Sequence, residues 1–232
     1  MSHIDDSEAR RKGRERADRL QADYLEKSGD FTGWFEELYA SAQGEAALIP
    51  WADLEPHPAL VDWMRRQPPP AKGARAIDVG CGLGDNAAFL ARCGYRTTAI
   101  DISPSAVAWA RKRHGEVADF RVADLFDLPQ EMVGAFDLVH ETYTIQSLPI
   151  GMRARVMAAI ASLLAPGGKL LVICRSREDG TEAEGPPWPL CRAELAEFTR
   201  LGLKQSDFDE FIEEREDGRR IPHFLVVYEA PC

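Results

Sequence analysis

The stretch AIDVGCGLGDNAAFLA, residues 76–91, sets Gly80, Gly82 and Gly84 at alternate positions between an apolar run and an alanine-rich, helix-like run. A glycine-rich turn after a strand lets a ligand approach the backbone and points amides toward it. In dinucleotide-binding proteins that ligand is a pyrophosphate. A tight turn with no ligand is the alternative for the glycines alone. Two acids extend the pattern. Asp101 ends the next predicted strand, 21 residues beyond Gly80, where a carboxylate can accept hydrogen bonds from both ribose hydroxyls. Asp124 ends the third, after FRVA, where a carboxylate can accept from the exocyclic amine of adenine while the Leu125 N–H donates to the ring. Three strand ends then converge on one adenosine.

Alternating elements position these residues. Strands are predicted at 74–80, 95–101, 118–124, 135–141 and 169–176. Helices are predicted at 85–94, closed by Gly94, and at 103–115, with Ser103 as N-cap and Pro104 at the first helical position. Two more are expected at 151–168, ending in Pro-Gly-Gly, and at 191–202. The chain closes in two strands around REDGRR, whose Asp217-Gly218 marks a turn, so that pair is antiparallel. Such alternation implies an α/β fold, a mostly parallel sheet with helices on both faces. Ahead of it lie a charged helix over 5–27 and a segment dense in aromatic residues, and PPPAKG at 68–73 reads as a linker. Two units are therefore expected, residues 1–66 and 67–232.

A chain of 232 residues with 45% hydrophobic residues can bury a sizeable core. A net charge of -10 argues against a nucleic-acid partner, which needs a basic face. No apolar run approaches the roughly 18–20 residues of a membrane helix, and the polar N-terminus carries no signal core; a cytoplasmic protein without a membrane partner is expected. The five cysteines form no CxxC pair and no zinc spacing, so free thiols and no metal are expected.

DVGCGLG, AIDIS, VADL and LLAPGGKLLV, in that order, resemble the motifs of class I S-adenosylmethionine-dependent methyltransferases. The resemblance covers about residues 70–231. It implies a Rossmann-like seven-stranded sheet in the order 3-2-1-4-5-7-6 with strand 7 antiparallel, and S-adenosylmethionine as cofactor. It places Asp78, Gly80, Cys81, Gly82, Gly84, Asp101, Ile102, Ser103, Ala123, Asp124, Leu125 and His140 around that cofactor. A nicotinamide-dependent dehydrogenase is the rival for the glycine loop, but it uses two mononucleotide halves. More narrowly, GWFEELYASAQGEAALIPW resembles the N-terminal segment of the thiopurine and thiol methyltransferase-like branch, through Trp34 with Tyr39 and Pro50 with Trp51. That branch implies a helical lid over residues 1–66, with Trp34 and Trp51 closing on the cofactor. Packing of those two residues against the sheet is the alternative.

In this fold the end of strand four borders the transferring group, which singles out His140, Glu141, Tyr143 and Gln146. Glu141 could orient the cofactor ammonium or take a substrate proton, His140 could be a base near neutral pH, and Tyr143 could line the acceptor pocket. Trp188, in the loop 178–188, is a candidate pocket wall, and Arg175 and Arg177 could meet an anionic acceptor. A thiol, with a pKa of about 8.5, needs little help to ionise. The expected function is therefore methylation of a small-molecule thiol by a monomer or weak dimer. O- or N-methylation of a metabolite, and cofactor binding without catalysis, are the alternatives.

Overall fold

The computed structural model describes residues 3–27, 30–215 and 218–232. Its centre is a seven-stranded sheet of β1 (Arg75–Val79), β2 (Arg96–Asp101), β3 (Asp119–Val122), β4 (Phe136–Thr142), β5 (Leu164–Arg175), β6 (Lys204–Glu214) and β7 (Arg220–Glu229). The order is β3-β2-β1-β4-β5-β7-β6, as expected. Strands β1 to β5 pair in parallel, and β7 runs antiparallel to β5 and β6.

Continuous apolar strands ask for cover on both faces. On one face, Ala76, Leu138, Leu171, Ile173, Leu225 and Val227 pack under α3 (Pro58–Arg65) and α4 (Asp85–Arg92) through Leu60, Trp63, Met64 and Leu90. On the other, Ile77, Val79, Val139, Leu170 and Val172 meet Val156, Met157 and Ile160 of α7 (Arg153–Ala161). Val107 and Ala110 of α5 (Pro104–His114) pack on Ala99 and Phe120. Ser103 caps α5 by accepting the Ala106 N–H at 3.0 Å.

α1 (His3–Lys27) and α2 (Gly33–Ser41) form an apolar cluster with Ile49 and Ala52, which meets the core at Leu83, Ala106 and Trp109, while Phe31 and Phe35 pack against the main core. Glu36 of α2 fastens it to the N-terminus of α5. Its carboxylate accepts from the Ser103 and Ser105 hydroxyls, each at 2.6 Å, and from the Ser105 N–H at 3.0 Å. The expected boundary at residue 66 falls just past α3, whose side chains belong to the sheet's own packing.

Two expected helices differ. The helix predicted to run to Gly168 stops at Ala161, and Leu164 already begins β5. Pro166 cannot continue a helix. Instead the Pro-Gly-Gly run bulges β5: Phe136 faces Leu164, yet Leu138 faces Lys169. A Cβ on Gly168 would stand 2.7 Å from the Phe136 carbonyl oxygen, so only glycine lets β5 pass β4 there. The helix predicted over 191–202 divides at Ala196 into α8 (Arg192–Leu195) and α9 (Glu197–Arg200), where the Thr199 N–H bonds the Ala196 carbonyl in a tightened turn. The turn expected at Asp217-Gly218 lies partly outside the described residues; the hairpin is closed by the Arg215 N–H on the Arg219 carbonyl at 2.9 Å. No helix among the described residues is long and apolar enough to cross a membrane.

Candidate active site

The strand order reverses at β1, which is flanked by β2 and β4, and open α/β sheets bind ligands outside the carboxyl ends of strands at such a switch point. A cleft open to solvent lies there. One end is lined by Asp101, Ile102, Ala123, Asp124 and Leu125, the floor by Gly80, Cys81 and Gly82, and the other end by Thr142, Tyr143 and Thr144. Phe35, Tyr39, Trp51 and His57, from the N-terminal 66 residues, supply the facing wall.

The three glycines of the opening motif do different work. All have positive φ. At Gly82 an added Cβ would stand 2.8 Å from the Tyr39 hydroxyl, across the cavity floor. At Gly80 it would collide with the Thr144 hydroxyl. Gly84 faces away: its Cβ would stand 2.6 Å from the Phe120 ring, so its smallness packs α4 against β3. Asp101 accepts the Gly82 N–H on one carboxylate oxygen and the Ser103 N–H on the other, both at 2.9 Å, leaving one acceptor position on each. Burial pushes its pKa up to about 6 against those two N–H bonds, which favour the ion. Asp124 holds the Phe126 N–H at 2.8 Å with one oxygen.

At the other end Tyr143 sits at φ +71, a left-handed conformation costly for a bulky side chain. Its hydroxyl lies 3.0 Å from His57 Nε2, 2.8 Å from His223 Nε2 and 3.2 Å from Glu213 Oε2. Burial lowers the His57 pKa to about 3, so this imidazole is neutral. Burial also lowers His223. Arg215 pairs with Glu213 at 3.1 Å and with Asp53 at 3.4 Å.

A family profile described as "Methyltransferase domain" matches residues 76–168, from β1 into β5. A ubiquinone biosynthesis O-methyltransferase of Xanthomonas axonopodis pv. citri (strain 306) is 37% identical over 124 residues, 52% of this chain and 51% of the relative. The chain spans about half the length of the curated relatives it matches. Among solved structures, the N-methyltransferase NodS from Bradyrhizobium japonicum WM9, in complex with S-adenosyl-L-homocysteine, superposes with a TM-score of 0.66 at 20% identity, over 84% of this chain and 99% of that one. A SAM-dependent methyltransferase from Methanosarcina mazei gives 0.62 at 20% identity, over 76% and 99%. Residues 76–168 thus match a methyltransferase domain family, and the sheet shares its fold with solved methyltransferases.

Several expected site residues stand away from the cavity. His140 is fully buried, with Nδ1 2.7 Å from Asp78 Oδ1 and Nε2 2.8 Å from Thr142 Oγ1. Both side chains project from directly paired positions of β4 and β1, so they satisfy each other inside the sheet's packing. Glu141 points to the opposite face, fully buried. It accepts the Ile145 N–H at 3.0 Å at the head of α6 (Thr144–Ser147), and burial pushes its pKa to about 8. Ser103 is committed to Glu36 and to capping. Trp34 is buried behind Phe35 and Trp51, stacked on the former at 4.0 Å and edge-on to the latter at 5.9 Å. Phe35 and Tyr39, four residues apart on one helix face, take the cavity side instead. Trp51 does line the cavity, donating its indole N–H to the Tyr39 hydroxyl at 2.7 Å. Gln146 supports the site from beneath, accepting the Arg175 N–H at 2.7 Å. The Trp188 ring is not part of the cavity wall, and Arg177 pairs with Glu194 at 3.0 Å.

Sequence reading missed His57, Glu213 and His223. They come from an N-cap, the end of β6 and the middle of β7, and no spacing links them. His57 alone carried a signal, a polar residue before Pro58 at a helix start.

Proposed function

We propose that this protein methylates a hydroxyl oxygen of a small molecule, using S-adenosylmethionine held across the carboxyl ends of β1 to β3. The donor set fits that cofactor. Asp101 keeps two acceptor positions suited to a ribose diol, Asp124 keeps an oxygen for an exocyclic amine, and Gly82 offers bare backbone between them. When bound, the cofactor supplies an electrophilic methyl carbon on a sulfonium. The chain's part is to hold an acceptor in line and keep water away. Thr142, Tyr143 and His57 border the acceptor end, while Phe35, Tyr39 and Trp51 act as a lid.

The choice of oxygen over sulfur rests on one observation. The Tyr143 hydroxyl is tied to two imidazoles at the acceptor end, and such a network serves an acceptor that must lose a proton. A thiol, partly ionised near neutrality, has less need of it. The names of the curated relatives, O-methyltransferases, support the same reading. His140 and Glu141 are positioning residues in this account. Calorimetry with S-adenosylmethionine and, in parallel, NADH tests the cofactor half. Saturable binding of the first alone is expected, and binding of NADH alone would return the glycine loop to the dehydrogenase reading.

A further inference from the structure

We propose that Tyr143 and His223 form a proton relay that takes the hydroxyl proton of the acceptor, an inference that rests on the oxygen reading above. The hydrogen-bond directions define it. His57 Nδ1 accepts the Ala59 N–H at 3.2 Å and therefore carries no proton. A neutral His57 then bears its hydrogen on Nε2 and donates it to Tyr143 Oη, 3.0 Å away. The imidazole facing the cavity has no free lone pair and cannot serve as the base. His223 is the mirror case. Its Nδ1 lies 2.9 Å from the Ile221 carbonyl, which can only accept, so the proton sits on Nδ1. Nε2 is left with a lone pair 2.8 Å from Tyr143 Oη. Tyr143 accepts from His57, and its single hydrogen faces two acceptors, His223 Nε2 at 2.8 Å and Glu213 Oε2 at 3.2 Å; the relay uses the nearer one, and the oxygen of this cavity-lining residue retains one lone pair.

The step balances. The O–H bond of the acceptor breaks, and its electron pair stays on oxygen for the new bond to carbon. The proton bonds to Tyr143 Oη as the tyrosine's own proton passes to His223 Nε2. Tyr143 ends unchanged, and His223 becomes an imidazolium. Glu213 Oε2, 3.3 Å from Nε2, stabilises that charge. The other charged groups facing His223 are Arg175 on β5 and Arg215 beyond β6, and both oppose it. Phe211 stacks on the ring with centroids 5.2 Å apart and fixes its plane. His223 is fully buried, so it meets the acceptor only through Tyr143. The strained backbone of Tyr143 is what brings the hydroxyl to this junction.

The test uses the full chain in two measurements. Imidazole 15N NMR at pH 7.5 is expected to show the Nε2–H tautomer for His57 and the Nδ1–H tautomer for His223, and Tyr143→Phe should shift both Nε2 signals. A His223 protonated on Nε2 would overturn the relay. Turnover is then followed as S-adenosylhomocysteine release with catechol, phenol and 4-nitrophenol, for the wild type, His223→Gln and Tyr143→Phe. Loss of roughly 100-fold or more is expected with phenol, shrinking to a few-fold with the largely ionised 4-nitrophenol. The acid limb of the wild-type pH profile should vanish in His223→Gln. An equal loss across all three acceptors would mean a structural role and overturn the relay alone. No turnover of any phenol by the wild type would overturn the oxygen reading, and the relay with it.

Discussion

Replacing Asp101 by alanine should weaken S-adenosylhomocysteine binding by one to two orders of magnitude while the chain stays folded. The carboxylate organises the loop by accepting the Gly82 and Ser103 N–H groups, and it offers one further acceptor position per oxygen to a ribose diol. A hydrogen bond to a charged group contributes about 1.5–3 kcal/mol, so losing one net bond corresponds to roughly 10- to 150-fold in Kd. Asp101→Asn should fall between, since one of its two positions then presents an NH2 group to a backbone donor. The pH dependence has a definite sign. Burial raises the carboxyl to about 6, the N–H bonds notwithstanding, and a diol that donates needs the ion. Affinity should be flat above about pH 7 and decline as the pH falls through 6. Titration calorimetry from pH 5 to 8 reads both effects. Unchanged affinity in a folded Asp101→Ala, together with a flat wild-type pH profile, would refute the assignment of this carboxylate to the ribose.

Gly84→Val should fail to fold or lose several kcal/mol, because its side chain meets the Phe120 ring, whereas Gly82→Val should fold and lose cofactor binding; thermal melts with calorimetry separate the two. Trp34→Ala should cost about 3–5 kcal/mol of stability through lost packing, and Phe35→Ala should mainly weaken ligand binding, as denaturant melts and calorimetry will show. Glu36→Ala should speed hydrogen exchange in residues 30–55 by removing the tie between α2 and α5, and equal exchange in both proteins would count against a lid fastened there. Glu141 is held near pKa 8 in the fold against about 4.3 in an unfolded chain, so its contribution is complete below pH 4.3 and is lost as pH rises through 8. The melting temperature of Glu141→Gln relative to wild type should therefore climb between pH 5 and 9.

The sheet was legible because its signals are local. Ser103 and Pro104 announce a helix, and the acids at the ends of β2 and β3 sit where strand period and loop length put them. The cavity lining at the ends of β1 to β3 was legible for the same reason. Around Tyr143, which was singled out, the partners were not. His57, Glu213 and His223 lie far apart in sequence and meet only after β6 and β7 fold back beside β5. His140 and Glu141 drew attention as ionisable residues at a strand end. Pleat decides their fate, sending one to Asp78 and the other under α6. Trp34 and Phe35 are adjacent, so which ring reached the cavity depended on helix phase. The Pro-Gly-Gly run misled because its signal for ending a helix is equally a signal for a bulge.

Transfer of a 13C-labelled methyl group from S-adenosylmethionine distinguishes oxygen from sulfur as the atom methylated. The full chain is incubated with catechol and with thiophenol, and products are read by carbon NMR, where methyl on oxygen and methyl on sulfur resonate far apart. A methoxy product from catechol is expected, one that requires the intact protein and is lost in Gly82→Val. A methylthio product alone would contradict the oxygen reading, and label remaining on the cofactor with every phenol, alcohol, amine and thiol offered would contradict catalysis itself.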